Sequence, residues 1–354
     1  MALPGQDRAV PVWVGDGLLA RAPDEVPRYA TGALIADAAV AAAHADLLET
    51  FVTAVIAAPA DPLLLPAGEE TKDAARLHGH WTALAERGLD RGAVLVVAGG
   101  GSTLDLGAFL GATWLRGVSV VIVPSTLLAQ VDAGLGGKCG VNLGGAKNQV
   151  GAIWQPDAIV ADRGLLRTLP ASEWASGLGE VVKTALLAGD DLLAAVQGLD
   201  ASLGAADPSV PDIVAACLRY KSDVVSADER EGDQRAVLNL GHTVGHVLEG
   251  LALEAGIPVA HGVAVAVGLV AETTALAGDA AIVEMVRGFV RHVGLPDTLD
   301  VEWDDARVRM LLDADKKRRG ATTRVPVLRT PGNATIEDVA LDALVAACRL
   351  GVAS

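Results

Sequence analysis

The chain has 354 residues and carries 28 Lys and Arg against 44 Asp and Glu, a net charge of −16 at pH 7. This acidity argues against nucleic-acid binders, which need a basic surface, and 51% hydrophobic residues exclude a disordered chain. The three scattered cysteines, and the lack of an apolar run long enough for a signal peptide or a membrane span, predict a cytoplasmic protein without membrane contact.

Residues 31–165 alternate between short β-branched runs and Ala- and Leu-rich stretches. The predicted strands are Ala33–Ile35, Ala93–Val97, Val118–Val123 and Ala158–Val160. Such alternation predicts a parallel sheet with helices on both faces. Beyond about residue 170, helical patterns dominate. We therefore expect an α/β, Rossmann-like nucleotide-binding domain at residues 1–165 and a mostly α-helical domain at residues 166–354.

Three glycines, Gly99–Gly101, follow the second predicted strand, with Ser102 and Asp105 directly after them. Exposed N–H groups at the start of a helix favour a bound pyrophosphate, although a tight strand-to-helix turn needs the same glycines. Asp37 stands two residues beyond the first predicted strand, at its carboxyl end, where it is placed to accept a ribose hydroxyl or, alternatively, to cap a helix.

A second cluster follows the third predicted strand. Hydroxyl, carboxylate, cation and amide side chains lie close together in the sequence, which is hard to explain as core or as a solvated face. Its members are Ser125, Thr126, Asp132, Lys138, Lys147 and Asn148. Glycines near Lys138 would allow a ligand to approach it closely. We interpret this segment as functional.

Two helical motifs place titratable groups on one face. Glu180 and Lys183 stand at i and i+3 in apolar surroundings. This spacing is compatible either with an ion pair within the helix or with two groups that bind a ligand. His242 and His246 are one turn apart, and His261 follows. The spacing alone predicts His242 and His246 as ligands of zinc or a similar divalent ion.

Each of two charged segments can be interpreted either as an exposed surface or as a binding site. The run that contains Lys221 and Arg235 is either a solvated helix face or part of a binding site. The block from Asp315 to Arg319 is either an exposed loop or an anion site in an acidic chain.

These motifs together resemble the 3-dehydroquinate synthases, within the sugar-phosphate cyclase group, over nearly the whole chain. The most specific pieces are P-S-T-L-L-A-Q-V-D, G-G-K, K-N, G-E-V-V-K and L-N-L-G-H-T-V-G-H-V-L-E. The resemblance implies a dehydroquinate synthase-like two-domain fold, bound NAD, one zinc or cobalt ion, and a homodimer.

The resemblance also implies roles for individual residues. The metal ligands would be Glu180, His242 and His261, so His246 becomes an acid or base rather than the ligand that its spacing indicates. The implied catalytic residues are His246, Lys183, Asp132 and Lys138. The implied substrate-binding residues are Arg116, Asn148, Lys221, Arg235, Asn239 and Lys316. The implied NAD-binding residues are Asp37, Glu69, Lys72, Gly99, Gly100, Gly101, Ser102, Asp105, Ser125, Thr126, Leu127 and Lys147.

The implied substrate is a phosphorylated sugar acid, 3-deoxy-D-arabino-heptulosonate 7-phosphate, which is converted to 3-dehydroquinate and phosphate. Alternatives are another cyclase, such as an amino-dehydroquinate synthase, a metal-dependent polyol dehydrogenase, or a non-catalytic relative. One departure concerns the metal: Val263 stands where the family usually has Glu, two residues after the third ligand. Because a carboxylate can orient a metal-bound histidine, we expect the support of the metal site to differ here.

Overall fold

The computed structural model describes residues 10–132, 135–144, 146–228, 234–313, 318–319 and 322–353. The chain divides into two compact units, residues 1–169 and 170–354. The boundary predicted near residue 165 lies close to this division.

The first unit is built on a six-stranded parallel sheet. Its strands are β1 (Val12–Gly15), β2 (Tyr29–Asp37), β3 (Ile56–Leu65), β4 (Val94–Gly99), β5 (Ser119–Pro124) and β8 (Ala158–Asp162), in the spatial order β1-β8-β5-β4-β2-β3. Strands β6 (Lys138–Leu143) and β7 (Ala146–Ile153) form a separate antiparallel pair. The predicted strands Ala33–Ile35 and Ala158–Val160 lie within β2 and β8, and the other two, which each begin one residue too early, overlap β4 and β5.

The helices of this unit are α1 (Ala38–Ala43), α2 (Ala45–Val55), α3 (Leu77–Glu86), α4 (Gly101–Thr113) and α5 (Leu127–Val131). Phe51 of α2 packs in one cluster with Val94 and Val96 of β4, whereas Gly107 of α4 lies against Val97. Because neighbouring residues of a strand point to opposite faces, α2 and α4 cover the two faces of the sheet. Every residue of β4 is consequently buried.

The order of the strands reverses between β2 and β4. From β2 the chain moves outward to β3 and then returns to form β4 on the other side of β2. In open α/β sheets, ligands bind at such a reversal, beyond the carboxyl ends of the strands. Asp37 ends β2, and Gly99 ends β4, so both lie at this point.

The second unit contains the helices α6 (Ala171–Ala188), α7 (Asp190–Gln197), α8 (Val210–Ala227), α9 (His242–Glu254), α10 (His261–Leu276), α11 (Ala280–His292), α12 (Asp305–Asp313) and α13 (Leu341–Leu350). Helix α10 is apolar along nearly its whole length and packs against α6, α9, α11 and α13. The unit is thus mostly helical, as predicted. It also holds an antiparallel sheet that the sequence did not predict: β9 (Arg318–Arg319), β10 (Thr322–Thr330) and β11 (Asn333–Ala340), in the order β11-β10-β9.

Within the described part of the chain, we find no helix with the length and apolar character needed to cross a membrane.

Candidate functional site

Close helix packing in the second unit brings three candidate metal ligands together. A Cβ atom at Gly179 of α6 would lie 1.9 Å from the carbonyl oxygen of Gly262 in α10. A Cβ atom at Gly268 of α10 would lie 2.0 Å from the carbonyl oxygen of Gly241, which precedes α9. Only glycine permits either approach. The backbones of α6, α9 and α10 therefore nearly touch beside the ligand-bearing residues.

Glu180 lies at the centre of this contact. Its side chain is buried, and its Oε1 lies 3.4 Å from His242 Nε2 and 3.7 Å from His261 Nε2. The second carboxylate oxygen, Oε2, lies 2.5 Å from Lys183 Nζ. The i, i+3 ion pair, one of the two interpretations that the sequence left open, is thus present, and it leaves the other oxygen of Glu180 facing the two histidines.

Both histidines are held through their Nδ1 atoms. His242 Nδ1 lies 3.1 Å from the carbonyl oxygen of Leu240, and His261 Nδ1 lies 3.0 Å from Glu249 Oε2. Since carbonyl and carboxylate oxygens only accept hydrogen bonds, each Nδ1 carries a proton and donates it. In the neutral tautomer the Nε2 lone pairs then face Glu180, as metal-binding histidines require.

The surroundings shift the pKa values of the two histidines in opposite directions. Burial, together with the positive charge of Lys183, holds the pKa of His242 well below its ordinary value. Burial alone would lower the pKa of His261 as well, but the hydrogen bond to Glu249 and the charge of Glu180 outweigh it and raise that pKa. His242 is therefore neutral at pH 7 and available as a ligand.

A divalent ion fits these side chains. Glu180 Oε1 is buried and has no hydrogen-bond partner within the described ranges, which is costly unless a ligand satisfies it. A tetrahedral zinc ion with ligands about 2.0–2.1 Å away would hold its ligand atoms roughly 3.3 Å from one another. The separations of 3.4 and 3.7 Å from this oxygen to the two histidines match that arrangement.

His246 also lies in this cluster. The candidate ligand atoms of His242, His246 and His261 are all within 4.8 Å of one another, and His246 is the most exposed of the three. Its ring centroid lies 5.4 Å from that of His242 and 5.7 Å from that of His261. The fold therefore places it at the rim of the cluster, where a ligand or an acid–base group could stand.

The first unit presents backbone donors where β4 and β5 end. Helix α4 begins after Gly100 without a side-chain cap, so its first N–H groups are available to an anion. Ser125 follows β5, and its buried Oγ lacks a partner among the residues described. The next residue, Thr126, caps α5 by accepting from Ala129 N at 3.1 Å, and Leu127 begins that helix. This edge has the chemistry of a nucleotide phosphate site.

Four predicted NAD-binding residues form one hydrogen-bonded network with a predicted substrate residue. Lys72 is almost fully buried, and its Nζ lies 2.6 Å from both Asp105 Oδ2 and Asn148 Oδ1. Glu69 accepts from Ser102 Oγ at 2.5 Å. Burial would raise the pKa of Glu69, but the bonds from Ser102 and a second side chain, together with the charge of Lys72, lower it. Asn148 thus lies with the predicted cofactor residues.

The remaining predicted residues are placed as follows. Asp37 caps α1, accepting from Ala39 N and Val40 N; its predicted ribose contact remains a prediction. Asp132 directly follows α5, and Lys138 and Lys147 lie on the β6–β7 pair. Lys221 lies on α8, while Arg235 and Asn239 lie on the short helix that precedes α9. Arg116 follows α4, and Lys316 lies outside the described residues.

Three contributing residues were not identified from the sequence. Glu249 lies on α9 at i+7 from His242, a spacing that could have revealed it. Glu272 of α10 accepts from Gly241 N and Val244 N, both at 2.9 Å, and so fixes the start of α9. Asn142 donates to Glu69 Oε1 at 2.9 Å. The last two gave no signal, because their partners lie on other segments of the chain.

Solved structures share this fold. A 2-deoxy-scyllo-inosose synthase, crystallised with carbaglucose-6-phosphate, NAD+ and Co2+, superposes with a TM-score of 0.87 at 22% identity and covers 99% of each chain. The 2-epi-5-epi-valiolone synthase ValA of Streptomyces hygroscopicus subsp. jinggangensis 5008, with NAD+ and Zn2+ bound, superposes with a TM-score of 0.85 at 24% identity, covering 98% of this chain and 97% of the other.

Sequence comparisons are more specific. A family model described as 3-dehydroquinate synthase N-terminal matches residues 62–176, and one described as 3-dehydroquinate synthase C-terminal matches residues 177–318. The 3-dehydroquinate synthase of Symbiobacterium thermophilum is 36% identical over 356 residues, covering 96% of this chain and 97% of the relative. These matches confirm the resemblance found in the motifs: the chain belongs to the 3-dehydroquinate synthase family.

Proposed function

We propose that this protein converts 3-deoxy-D-arabino-heptulosonate 7-phosphate to 3-dehydroquinate and phosphate. The steps would be a transient oxidation, elimination of phosphate, reduction, and an intramolecular aldol closure. The observation that carries this proposal is the buried, unpartnered Oε1 of Glu180, which faces Nε2 of His242 and of His261 in a chain of this family. A carboxylate and two imidazoles leave a fourth metal position open for substrate.

Two cofactors would serve the reaction: NAD in the first unit and a zinc or cobalt ion in the second. When bound, NAD+ would take up and return the hydride of one hydroxyl-bearing carbon, and the metal ion would stabilise negative charge on substrate oxygens. Glu180, His242 and His261 would hold the ion. The uncapped start of α4 and the buried Ser125 support the nucleotide site.

We assign proton transfer to His246, with Lys183 as the group that orients Glu180. His246 is exposed and lies one turn after His242 on α9, so its ring can reach a substrate held at the cluster. Lys183 holds Glu180 Oε2 at 2.5 Å and so fixes which oxygen faces the histidines. Asp132 and Lys138 would complete the catalytic set.

The anionic ends of the substrate need cationic partners. Lys221, Arg235 and Asn239 would bind the carboxylate, and Arg235 offers two parallel N–H donors. Lys138, Asn148, Lys316 and Arg116 would hold the phosphate. Both Leu115 (φ 49°) and Arg116 (φ 71°) adopt left-handed backbone conformations. Such strain in non-glycine residues is typical of functional sites, which supports a binding role for this turn.

The assignment of the other NAD-binding residues rests on the network around Lys72. Glu69, Lys72, Ser102 and Asp105 would form a preorganised polar wall, with Lys147 adding positive charge near Glu69. Asp37, Gly99–Gly101 and Thr126–Leu127 would line the same edge of the sheet. A homodimer and a cytoplasmic location remain predictions from the sequence.

The test is a phosphate-release assay with purified protein, the heptulosonate phosphate and a catalytic amount of NAD+. Absorbance at 340 nm is followed in the same sample, with a chelator and then with excess zinc. We expect metal-dependent phosphate release without net NADH, and dehydroquinate as the carbocyclic product. His246→Asn should slow phosphate release by roughly 10²–10⁴-fold, whereas His78→Asn, which alters an exposed histidine of α3, should not.

Other outcomes would refute this assignment. Phosphate release only from the amino analogue of the substrate would indicate an amino-dehydroquinate synthase. Stoichiometric NADH formed from a polyol would indicate a dehydrogenase. No turnover by metal-loaded protein with any of these substrates would place it among non-catalytic relatives.

A further inference from the structure

We propose that Glu249 is a positioning residue for the metal site: its carboxylate fixes the ring of His261 so that Nε2 points at the ion. This inference rests on the metal site of the proposed function. The observation behind it is the 3.0 Å contact between Glu249 Oε2 and His261 Nδ1, on the edge of the ring away from Glu180.

His261 needs such a restraint more than His242 does. It is the first residue of α10, and the preceding residue, Ala260, gives the helix no side-chain cap. A third of the His261 side chain is exposed, whereas only 12% of the His242 side chain is. His242 is held instead by the backbone carbonyl of Leu240 within its own turn. A partly exposed ring at a helix end has several accessible rotamers, so a hydrogen-bonded partner lowers the entropic cost of binding the ion.

Helix geometry places Glu249 where it can do this. His242, His246 and Glu249 stand at i, i+4 and i+7 on α9, one face of the helix. The same face therefore supplies a ligand, the proposed acid–base group and the proposed positioning carboxylate. The helix start is itself fixed by the two backbone bonds to Glu272, so Glu249 approaches His261 from a rigid support.

The first turn of α10 offers no carboxylate of its own. Val263, two residues after His261, packs against the apolar cluster of the second unit that includes Val244, Val267 and Leu344. A carboxylate from α9 thus takes the position beside Nδ1. Besides orienting the ring, its negative charge makes the imidazole a stronger donor to a cation.

The experiment compares zinc affinity in wild type, Glu249→Ala and Glu249→Gln, by competition with a chromogenic chelator. The control is Glu254→Gln, which alters another carboxylate of α9 that pairs with Arg307 on the surface. Absorption of the cobalt-loaded proteins reports the ligand geometry, and NAD+ binding reports whether each variant is folded. We expect Glu249→Ala to weaken zinc binding by about 10–100-fold and to alter the cobalt spectrum.

Glu249→Gln keeps a hydrogen-bond acceptor but loses the charge, so its affinity should fall between those of wild type and Glu249→Ala, and Glu254→Gln should match wild type. Equal zinc affinity in wild type and Glu249→Ala would overturn the inference while leaving the proposed function intact. If wild type itself binds no divalent ion, the proposed metal site and this inference both fail.

Discussion

Alanine in place of Gly262 should separate α6 from α10 and disrupt the proposed metal site. Gly262 follows His261 directly, and its backbone touches α6 from both directions. A Cβ atom at Gly262 would lie 1.7 Å from the carbonyl oxygen of Ser176, and one at Gly179 would lie 1.9 Å from the carbonyl oxygen of Gly262. A backbone carbonyl inside a helix cannot rotate away, so the helices themselves must move.

The size of the movement follows from these distances. Real Cβ atoms essentially never approach a neighbour within 3.0 Å, so a starting distance of 1.7 Å requires a shift of about 1.3 Å. Metal–ligand distances tolerate only about ±0.2 Å. His261 moves with α10, and its Nε2 already lies 3.7 Å from Glu180 Oε1, so the two could no longer share one ion. Overpacking would also cost about 1–3 kcal/mol of unfolding free energy.

The assay is zinc affinity together with thermal unfolding, with and without zinc. The matched control is Gly288→Ala in α11, where a Cβ atom would meet nothing within 4 Å and should stabilise the helix by up to about 1 kcal/mol. Loss of a residue that contacts a metal ligand, but not the ion itself, typically weakens metal binding by up to roughly 100-fold. We expect Gly262→Ala to weaken zinc binding by more than this. Wild-type zinc affinity in Gly262→Ala would refute the argument from helix contact.

Three further predictions follow from the same structure. Glu272→Ala leaves the N–H groups of Gly241 and Val244 without their acceptor, so urea unfolding should show a loss of roughly 2–4 kcal/mol. Burial raises the pKa of Cys139 to about 11, so at pH 8 it should react with a thiol reagent only after unfolding; prompt reaction in the native protein would contradict this. The pKa of Glu69 is lower in the folded protein, so ionised Glu69 stabilises the fold above pH 4.5, and the stability deficit of Glu69→Gln should shrink as the pH falls below that value.

The strands that the sequence revealed are those buried on both faces. Strand β4 is an unbroken apolar run because α2 and α4 cover it, and such a run needs no partner to be recognised. Strand β3 lies at the sheet edge, is mostly exposed, and contains Pro59 and Pro62. Because these features are not typical of a buried strand, the sequence did not predict it. Strands β10 and β11 pair across a short turn, and Pro326 interrupts the pattern of β10.

The candidate site also contains residues that the sequence could relate to one another and residues that it could not. His242 and His246 were identified because one helical turn relates them, and Glu180 and Lys183 for the same reason. No spacing in the sequence relates Glu180 to His261, which are far apart in the chain. Their meeting depends on the glycine contacts between α6 and α10, and the metal set was implied only by the resemblance to a family.

Glu180 shows why two competing interpretations of one motif need not exclude each other. The sequence left open whether Glu180 and Lys183 form a plain ion pair or bind a ligand. In the structure, one carboxylate oxygen lies 2.5 Å from Lys183 Nζ, and the other lies 3.4 Å from His242 Nε2 with no hydrogen bond among the described residues. A buried carboxylate with only one of its oxygens satisfied is costly. The ion pair with Lys183 thus orients the carboxylate but satisfies only one of its oxygens. The second oxygen is left for a cation that the two imidazoles can share.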